Sequence, residues 1–128
     1  MRVDAIGWQA HLRTNSLSEE DLKYLDYLID WVHQHDLEFH VTELNLWVKE
    51  EITDLDSIHK IQNDLYTKII NKLISKKDNG VVSLNFWGLK TRSGQSKQNK
   101  TIFSLFNEAN EPNPVLKKVS ECLKNISN

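Results

Sequence analysis

The sequence has 128 residues, the size of a single domain, and 27% of them are charged. Its formal net charge is −2 and its Lys and Arg residues are scattered, so a nucleic-acid partner is not favoured. No apolar run approaches the roughly 18 residues that a membrane-spanning helix needs, and the single Cys122 excludes an internal disulfide.

The first half of the chain predicts two strands with a helix between them. An apolar strand over residues 3–8 leads into a polar loop, QAHLRTNS. Ser18 then begins a helix, because its hydroxyl can cap free backbone N–H groups and the acids at 19–21 complement the helix dipole. Its apolar face, at helical spacing up to about residue 34, consists of Leu22, Leu25, Leu28, Ile29 and Val32. The second strand is predicted over residues 38–44.

The second half predicts a long helix, a buried strand and a last helix. The long helix spans residues 56–76, and the acids before and at its start are interpreted as a solvated capping surface: Glu50, Glu51, Asp54 and Asp56. The strand over residues 81–87 is nearly continuously apolar, as expected when both faces are covered. Residues 90–100, KTRSGQSKQNK, are predicted to be a polar loop.

The last helix is predicted to begin after Asn113, which can cap it, with Pro114 in its first turn. The residues expected on its inner side are Val115, Val119, Leu123 and Ile126. The order along the chain is therefore strand, helix, strand, helix, strand, loop and helix. This alternation predicts one α/β domain with parallel strands and right-handed crossover helices.

Polar and aromatic residues lie at or just after the end of each predicted strand. In strand order, they are Gln9 and His11, Glu43 and Asn45, and Asn85 and Trp87. Because sites in parallel α/β folds are built at the carboxyl ends of the strands, these residues are expected to share one pocket.

The residue types in this pocket suit a carbohydrate. A glutamate on a rigid strand end can attack an anomeric carbon, and a histidine bonded to it keeps it oriented. Tryptophan offers a flat apolar face to a sugar ring, while Gln and Asn can bond to hydroxyl groups. No spacing of histidines with acids or Cys122 indicates a metal site, and no cofactor is expected.

Four segments of the chain resemble glycoside hydrolase family ten, the endo-xylanases. They are VDAIGWQAHL, FHVTELNL, VVSLNFWGL and TIFSLFNEANEPNPVLKKV. The resemblance covers nearly the whole chain, with the motifs in the order and spacing of the family. It implies that residues 1–128 are the last three βα units, strands six to eight, of a TIM (β/α)8 barrel and form part of a catalytic domain.

The resemblance also implies a role for each site residue. Glu43 matches the nucleophile of a retaining hydrolase, His11 matches the histidine that orients it, and Gln9, Asn45 and Trp87 match positions at the substrate. The implied activity is cleavage of β-1,4 bonds in xylan through a covalent glycosyl-enzyme, with the polysaccharide as partner. A secreted or cell-surface location is implied in the same way.

The chain departs from the family at functionally important places. The family's acid/base glutamate follows an asparagine at the fourth strand, which would precede the segment at Val3, and three strands cannot close an eight-stranded barrel. We therefore expect a C-terminal fragment that is inactive alone and is completed by the rest of its barrel. Asn45 replaces an aspartate, and Thr91 and Gln95 stand in the segment where the family has an aspartate followed by Ser-Trp.

Two other functions stay open. The chain could be a diverged, non-catalytic carbohydrate-binding relative, which the residues at Asn45, Thr91 and Gln95 motivate. It could also be a free-standing α/β domain that contacts another protein through its sheet. Each site residue also has a purely structural interpretation: Glu43 as a strand-end carboxylate paired to a neighbouring helix, His11 as a hydrogen-bonded core histidine, and Trp87 as a packing residue of the barrel core.

Overall fold

A computed structural model of the chain describes residues 1–49, 54–95 and 100–127. Its elements in chain order are β1 (Ala5–Trp8), β2 (His11–Arg13), α1 (Glu19–Gln34), β3 (Glu38–Lys49), α2 (Leu55–Lys76), β4 (Val82–Phe86), β5 (Arg92–Gln95), β6 (Lys100–Phe103) and α3 (Pro114–Lys124), followed by a 3-10 turn at Asn125–Ser127. The α/β class predicted from the sequence is confirmed.

The long strand β3 is the centre of a mixed sheet. Its first half pairs in parallel with β1 on one side and β4 on the other, and α1 and α2 form the crossovers between these strands. Its second half pairs in parallel with β2 and antiparallel with β6, which in turn pairs antiparallel with β5. The predicted parallel strands are therefore present, with an antiparallel extension at the carboxyl end of β3.

Two segments predicted to be polar loops are strands instead. In the first, β2 buries Leu12 between the partly exposed His11 and the exposed Arg13. In the second, residues 92–95 form β5 and Lys100 begins β6. These segments become strands by pairing with distant backbone, so they form without a clear apolar period in their own sequences. β2 and β6 pair directly with the end of β3, which continues to Lys49 rather than ending at residue 44.

The start of α1 is capped as predicted. Ser18 Oγ accepts a hydrogen bond from the backbone N of Asp21 at 3.2 Å, and the Asp21 carboxylate accepts one from the backbone N of Ser18 at 2.8 Å. Two orphan donors at the helix start are satisfied by this capping box. The hydrogen bonds from the Ser18 side chain and backbone hold the pKa of Asp21 below its usual value.

The last helix differs from its prediction in two ways. Asn113 precedes α3, but its side chain does not cap the helix and instead donates to the carbonyl oxygen of Ser104 at 2.8 Å. Leu123 and Ile126 were predicted to face inward and are instead 47% and 40% exposed, so that prediction is wrong. Cys122 is buried in their place, because seven positions after Val115 return to within about 20° of the same face.

The hydrophobic core lies between one face of the parallel strands and the helices. Phe39 and Val41 of β3 are fully buried there, together with Ile29 and Val32 of α1 and Ile69 of α2. Within the part of the chain that the structure describes, no helix is long and apolar enough to cross a membrane.

The opposite face of the same strands carries small and polar residues. Ala5 and Gly7 of β1 are exposed, and His40 of β3 is only partly buried. The His40 ring bridges two strands, since its Nδ1 lies 2.6 Å from Oγ of Ser83 in β4 and its Nε2 lies 3.0 Å from Oε2 of Glu38.

Tyr66 of α2 is the largest fully buried side chain in the described core. Burial raises the pKa of its phenol to about 12, although the neighbouring Gln62 amide opposes the shift. Its hydroxyl has no well-formed hydrogen bond to the described residues. Because the folded state holds this proton above the ordinary pKa of 10.0, folding stability is expected to be intact below that pH and to fall as pH rises towards 12.

Substitution of Tyr66 by phenylalanine tests this interpretation. Removal of an unpaired buried hydroxyl is expected to change the free energy of unfolding at pH 7 by less than about 1 kcal/mol. At alkaline pH the variant is expected to be the more stable protein, because it has no phenol to ionise. Urea unfolding at pH 7 and pH 11 measures both effects, with Tyr27→Phe on the exposed face of α1 as control. A large loss of stability at pH 7 would show that the hydroxyl has an essential partner.

Candidate functional site

The strand β3 contains one extra residue between Val41 and Leu44, the interval that includes Glu43. Between Val41 and Leu44, β3 advances by three residues while β4 advances by two, from Leu84 to Phe86. On the other side of β3 the excess is the same: the chain advances three residues from Trp8 in β1 to His11 in β2, while β3 advances four, from Val41 to Asn45. Bulges of this kind occur beside active sites, where they redirect a side chain. Here the irregularity accompanies a glutamate that contacts β2.

The turn between β1 and β2 places the first strand end opposite the second. Ala10 has a φ of 54°, an unfavourable left-handed conformation for alanine, and it is 2% exposed. Its carbonyl oxygen accepts a hydrogen bond from the backbone N of Asn45 at 3.4 Å. The chain then re-enters the sheet with His11 directly opposite Asn45. Backbone strain of this type is concentrated at functional sites.

Glu43, His11 and Asn45 are in contact with one another through the His11 ring and form the Glu43–His11–Asn45 cluster. Nε2 of His11 lies 3.1 Å from Oε2 of Glu43, and Nδ1 of the same ring lies 2.9 Å from Oδ1 of Asn45. The Glu43 and His11 side chains are 27% and 28% exposed, whereas Asn45 is fully buried. Glu43 is therefore accessible, and the ring that orients it is held from behind by a buried amide. This arrangement suits a positioned carboxylate nucleophile.

Trp47 is a site residue that the sequence reasoning did not assign. It follows Asn45 by two positions, so both side chains lie on the same face of β3. Its indole lies against His11, with ring centroids 5.5 Å apart and tilted by 45°. Lys100 Nζ lies 5.2 Å from the centroid of the same indole. The two-residue spacing is the sequence signal for Trp47, because it places the indole on the same face of β3 as Asn45 and therefore beside the cluster.

Gln9 and Trp87 lie at the same carboxyl edge of the sheet but outside the cluster. Gln9 is exposed immediately after β1, and its side chain forms no hydrogen bond with the described residues. Trp87 follows β4, and its backbone N donates to the carbonyl oxygen of Leu44 at 3.1 Å. The indole is 55% exposed and borders an open groove of about 330 Å³ with Gly88 and Arg92. Both residues are accessible to a ligand.

Several other predicted positions are placed differently or lie outside the description. Thr91 is 7% exposed, and its Oγ1 accepts hydrogen bonds from the backbone N of Ser104 and from Asn113 Nδ2, both at 3.2 Å. It therefore joins the packing before α3. Glu50, Glu51 and the side chain of Gln95 lie outside the described residues.

No metal site is evident in the part of the chain that the structure describes. There, no group of three or more His, Cys, Asp or Glu side chains could hold an ion.

Comparison with known proteins places this geometry in context. Residues 1–122 match the sequence model of a family described as Glycosyl hydrolase family 10. A search of curated proteins finds no match.

Solved xylanases share the fold over nearly the whole chain. Xylanase 10B from Thermotoga petrophila RKU-1, in complex with xylobiose, has a TM-score of 0.75 and 22% identity, covering 96% of this chain and 37% of that one. Native xylanase 10B from Thermotoga maritima has a TM-score of 0.76 and 21% identity, covering 98% and 38%. The endo-1,4-beta-xylanase XylE of Penicillium canescens has a TM-score of 0.79 and 17% identity, covering 98% and 37%. The chain thus spans less than two fifths of each of these relatives, and the likeness is one of fold.

Proposed function

Because the chain belongs to glycosyl hydrolase family 10, we propose that it forms the nucleophile-bearing part of a retaining endo-1,4-β-xylanase. The observation that carries this proposal is the 3.1 Å contact between His11 Nε2 and Glu43 Oε2 at the carboxyl edge of the sheet. Glu43 has a fixed direction there and keeps solvent access. A nucleophile needs both properties, and a carboxylate that merely pairs with a neighbouring helix needs neither.

The reaction follows from the retaining mechanism. A Glu43 carboxylate oxygen attacks the anomeric carbon of a xylosyl unit, and the departing glycosidic oxygen takes a proton from a second carboxylic acid. Water then attacks the same carbon, its proton passes to the second group, and the Glu43 ester bond breaks. Each step inverts the configuration of the anomeric carbon, so the two steps together retain it. His11 positions Glu43 through both steps, and the exposed indole of Trp87 can stack on the apolar face of the sugar.

The second carboxyl group belongs, in this proposal, to a part of the protein outside these 128 residues. Retaining glycosidases hold their two carboxyl groups roughly 5 Å apart. Among the described residues, the one ion-pair contact of Glu43 is with the imidazole of His11. In this proposal the acid/base glutamate approaches Glu43 from across the open edge of the site.

The edges of the sheet support completion by further barrel strands. Among the described strands, β1 and β4 each pair along one side only, with β3. A groove beside β1 is lined by Trp8, Tyr24 and Leu28, and an apolar groove of about 210 Å³ beside β4 is lined by Ile74 and Leu84. Each strand of a closed barrel has two neighbours. We assign residues 1–128 to strands six to eight, and these grooves to contacts with the rest of the barrel.

Trapping of the glycosyl-enzyme tests the proposed function. The complete protein is treated with a 2-deoxy-2-fluoro-xylobioside that carries a good leaving group, and its peptides are analysed by mass spectrometry. One fluoroxylobiosyl group on Glu43 is expected, because the fluorine slows hydrolysis of the ester more than its formation. Turnover without a label on Glu43 would show that another residue is the nucleophile.

The same experiment separates the alternative of a non-catalytic carbohydrate-binding relative. That relative would bind xylan while showing neither label nor turnover. The structure gives this alternative less support than the sequence did, because Thr91 accepts two internal hydrogen bonds and is buried. It is therefore not available as an open sugar contact.

A further inference from the structure

The groove beside Trp87 has two cations on its wall. Its volume is about 330 Å³, and Lys90 and Arg92 line it together with the exposed indole. Both cationic side chains are exposed, and neither forms an ion pair or a hydrogen bond with the described residues. A groove of this volume lies at the lower end of the range for ligand pockets. Its two positive charges therefore face solvent inside a concave surface that can accept a ligand.

Strand pairing places Arg92 on the same face of the sheet as Trp47 of the candidate site. Arg92 of β5 lies opposite Ile102 of β6, and Ile102 lies opposite Trp47 of β3. Side chains of directly paired residues stand on the same side of a sheet. Ile102 also lines the groove at Trp87. The groove and the site indole therefore belong to one continuous surface.

This surface carries further positive charge. Lys100 and Lys49 are direct partners across β6 and β3, and each lies two positions from Ile102 or Trp47, so they share the same face. Like charges directly opposite each other destabilise a sheet. Residues 90–100 contain four cationic residues and no acidic one, in a chain with a net charge of −2. Binding of a neutral polysaccharide does not require this concentration of positive charge.

Glu108 is a described acid that contacts this segment, but it does not pair directly with either cation of the groove. Its carboxylate accepts hydrogen bonds from the hydroxyl of Ser93 and from the backbone N of Ser93, the latter at 2.8 Å. These hydrogen bonds lower the pKa of Glu108, and the charge of Lys90 makes a smaller contribution in the same direction. Lys90 and Arg92 thus have no direct carboxylate partner among the described residues.

The groove also contains an unsatisfied polar atom. Ser104 lines it and is 2% exposed, and its Oγ has no hydrogen-bond partner among the described residues. The neighbouring Gly88 has a φ of 70°, and a Cβ added there would lie 3.7 Å from this oxygen. Because glycine has no side chain, a ligand can approach the groove closely at this point. An aromatic face, a hydroxyl and two cations together suit a sugar that carries a carboxylate.

We propose that Lys90 and Arg92 form a subsite for a uronic acid branch of xylan and bind the carboxylate of that branch beside Trp87. The inference rests on the proposed function, which places xylan at this indole. The backbone N of Trp87 donates to the carbonyl oxygen of Leu44, the residue after Glu43, so the branched sugar lies close to the cleaved bond. Arginine can bind a carboxylate through two parallel N–H donors, and lysine adds a point charge. The chain is therefore expected to favour acidic xylan over neutral xylan.

Calorimetric titration of the complete protein carrying Glu43→Gln tests the proposal, because this variant keeps the groove and prevents turnover. The ligands are xylo-oligosaccharides of equal length: one unbranched, one with a single glucuronyl branch, and one whose branch carboxyl group is reduced to an alcohol. The acidic branch is expected to bind about 3- to 30-fold more tightly than its reduced form at low salt. The difference is expected to shrink as salt is added, because exposed charges are screened.

Free glucuronate distinguishes a branch subsite from a general anion site. It is expected to bind far more weakly than the branched oligosaccharide, because it lacks the xylan backbone that occupies the rest of the site. Equal affinity for free glucuronate would overturn the assignment to a xylan branch. Equal affinity for the acidic and the reduced branch would overturn the proposal as a whole.

The double variant Lys90→Gln, Arg92→Gln is expected to abolish the preference for the acidic branch. The matched control, Lys117→Gln with Lys124→Gln, removes the same charge from exposed positions of α3 and is expected to retain the preference. Retention of the preference in the first variant, or its loss in both, contradicts the proposal. Binding requires no nucleophile, so this inference and the trapping experiment on Glu43 can fail separately.

Discussion

Substitution of Glu43 by glutamine is expected to reduce kcat/KM of the complete protein for xylo-oligosaccharides by about 10⁴-fold or more. Glutamine preserves the size of the side chain and its contact with His11, so the fold and sugar binding are expected to persist. It cannot form the ester bond on which a retaining mechanism depends. Initial rates with xylo-oligosaccharides of defined length measure the loss, and calorimetric titration measures the retained binding.

The matched control for this prediction is Glu38→Gln. Glu38 lies on the same strand, β3, at its amino end, and is bonded to His40 rather than to the Glu43–His11–Asn45 cluster. Its loss is expected to leave kcat/KM within a few-fold of the wild type. Normal turnover by Glu43→Gln, or an equal loss in both variants, would contradict the assignment of the nucleophile.

Substitution of Phe39 by alanine is expected to lower the free energy of unfolding by about 3 to 5 kcal/mol. The ring is fully buried where the centre of β3 meets the helix layer, so its removal loses both the transfer of a large apolar side chain and the contacts around the resulting cavity. A loss of this size is a large fraction of the stability of a typical domain. Urea unfolding of the full chain, followed by circular dichroism, measures it.

Tyr27→Ala provides the comparison for Phe39→Ala. Tyr27 is also aromatic but lies on the outer face of α1 and is 69% exposed. Its truncation is expected to change stability by less than about 0.5 kcal/mol. If the two variants were equally stable, Phe39 would not be part of a close-packed core and the placement of β3 beneath the helices would be wrong.

The helices and the three parallel strands could be predicted because their signals act over a few residues. The cap at Ser18 and the apolar periods of α1 and α2 act within one or two helical turns, and both helices occur where these patterns placed them. The strands β2, β5 and β6 escaped prediction because their partners are distant in the chain. The Asn113 amide donates to Thr91 Oγ1 and to the Ser104 carbonyl oxygen, which are 22 and 9 positions away in the chain, and its side chain does not cap α3.

The candidate site likewise combines features that the sequence predicts with contacts that depend on strand register. Gln9, Glu43 and Trp87 could be grouped from the sequence, because the carboxyl ends of parallel strands converge whatever their exact register. The contact between His11 and Asn45 joins residues 34 positions apart and depends on register alone. Trp47 lies two positions after Asn45, so the face of β3 that carries it could be predicted, but its contact with His11 depends on the pairing of β2 with β3.

Composition, apolar periods and motif order were thus sufficient to establish an α/β chain with an acidic residue at the end of its second predicted strand. The fold had to be known before Glu43 could be placed at an irregularity of β3, with Asn45 buried behind His11 instead of open to a sugar. A shift of one residue in strand pairing would send each of these side chains to the opposite face of the sheet. That register is selected by packing between distant segments, and local sequence patterns do not encode it.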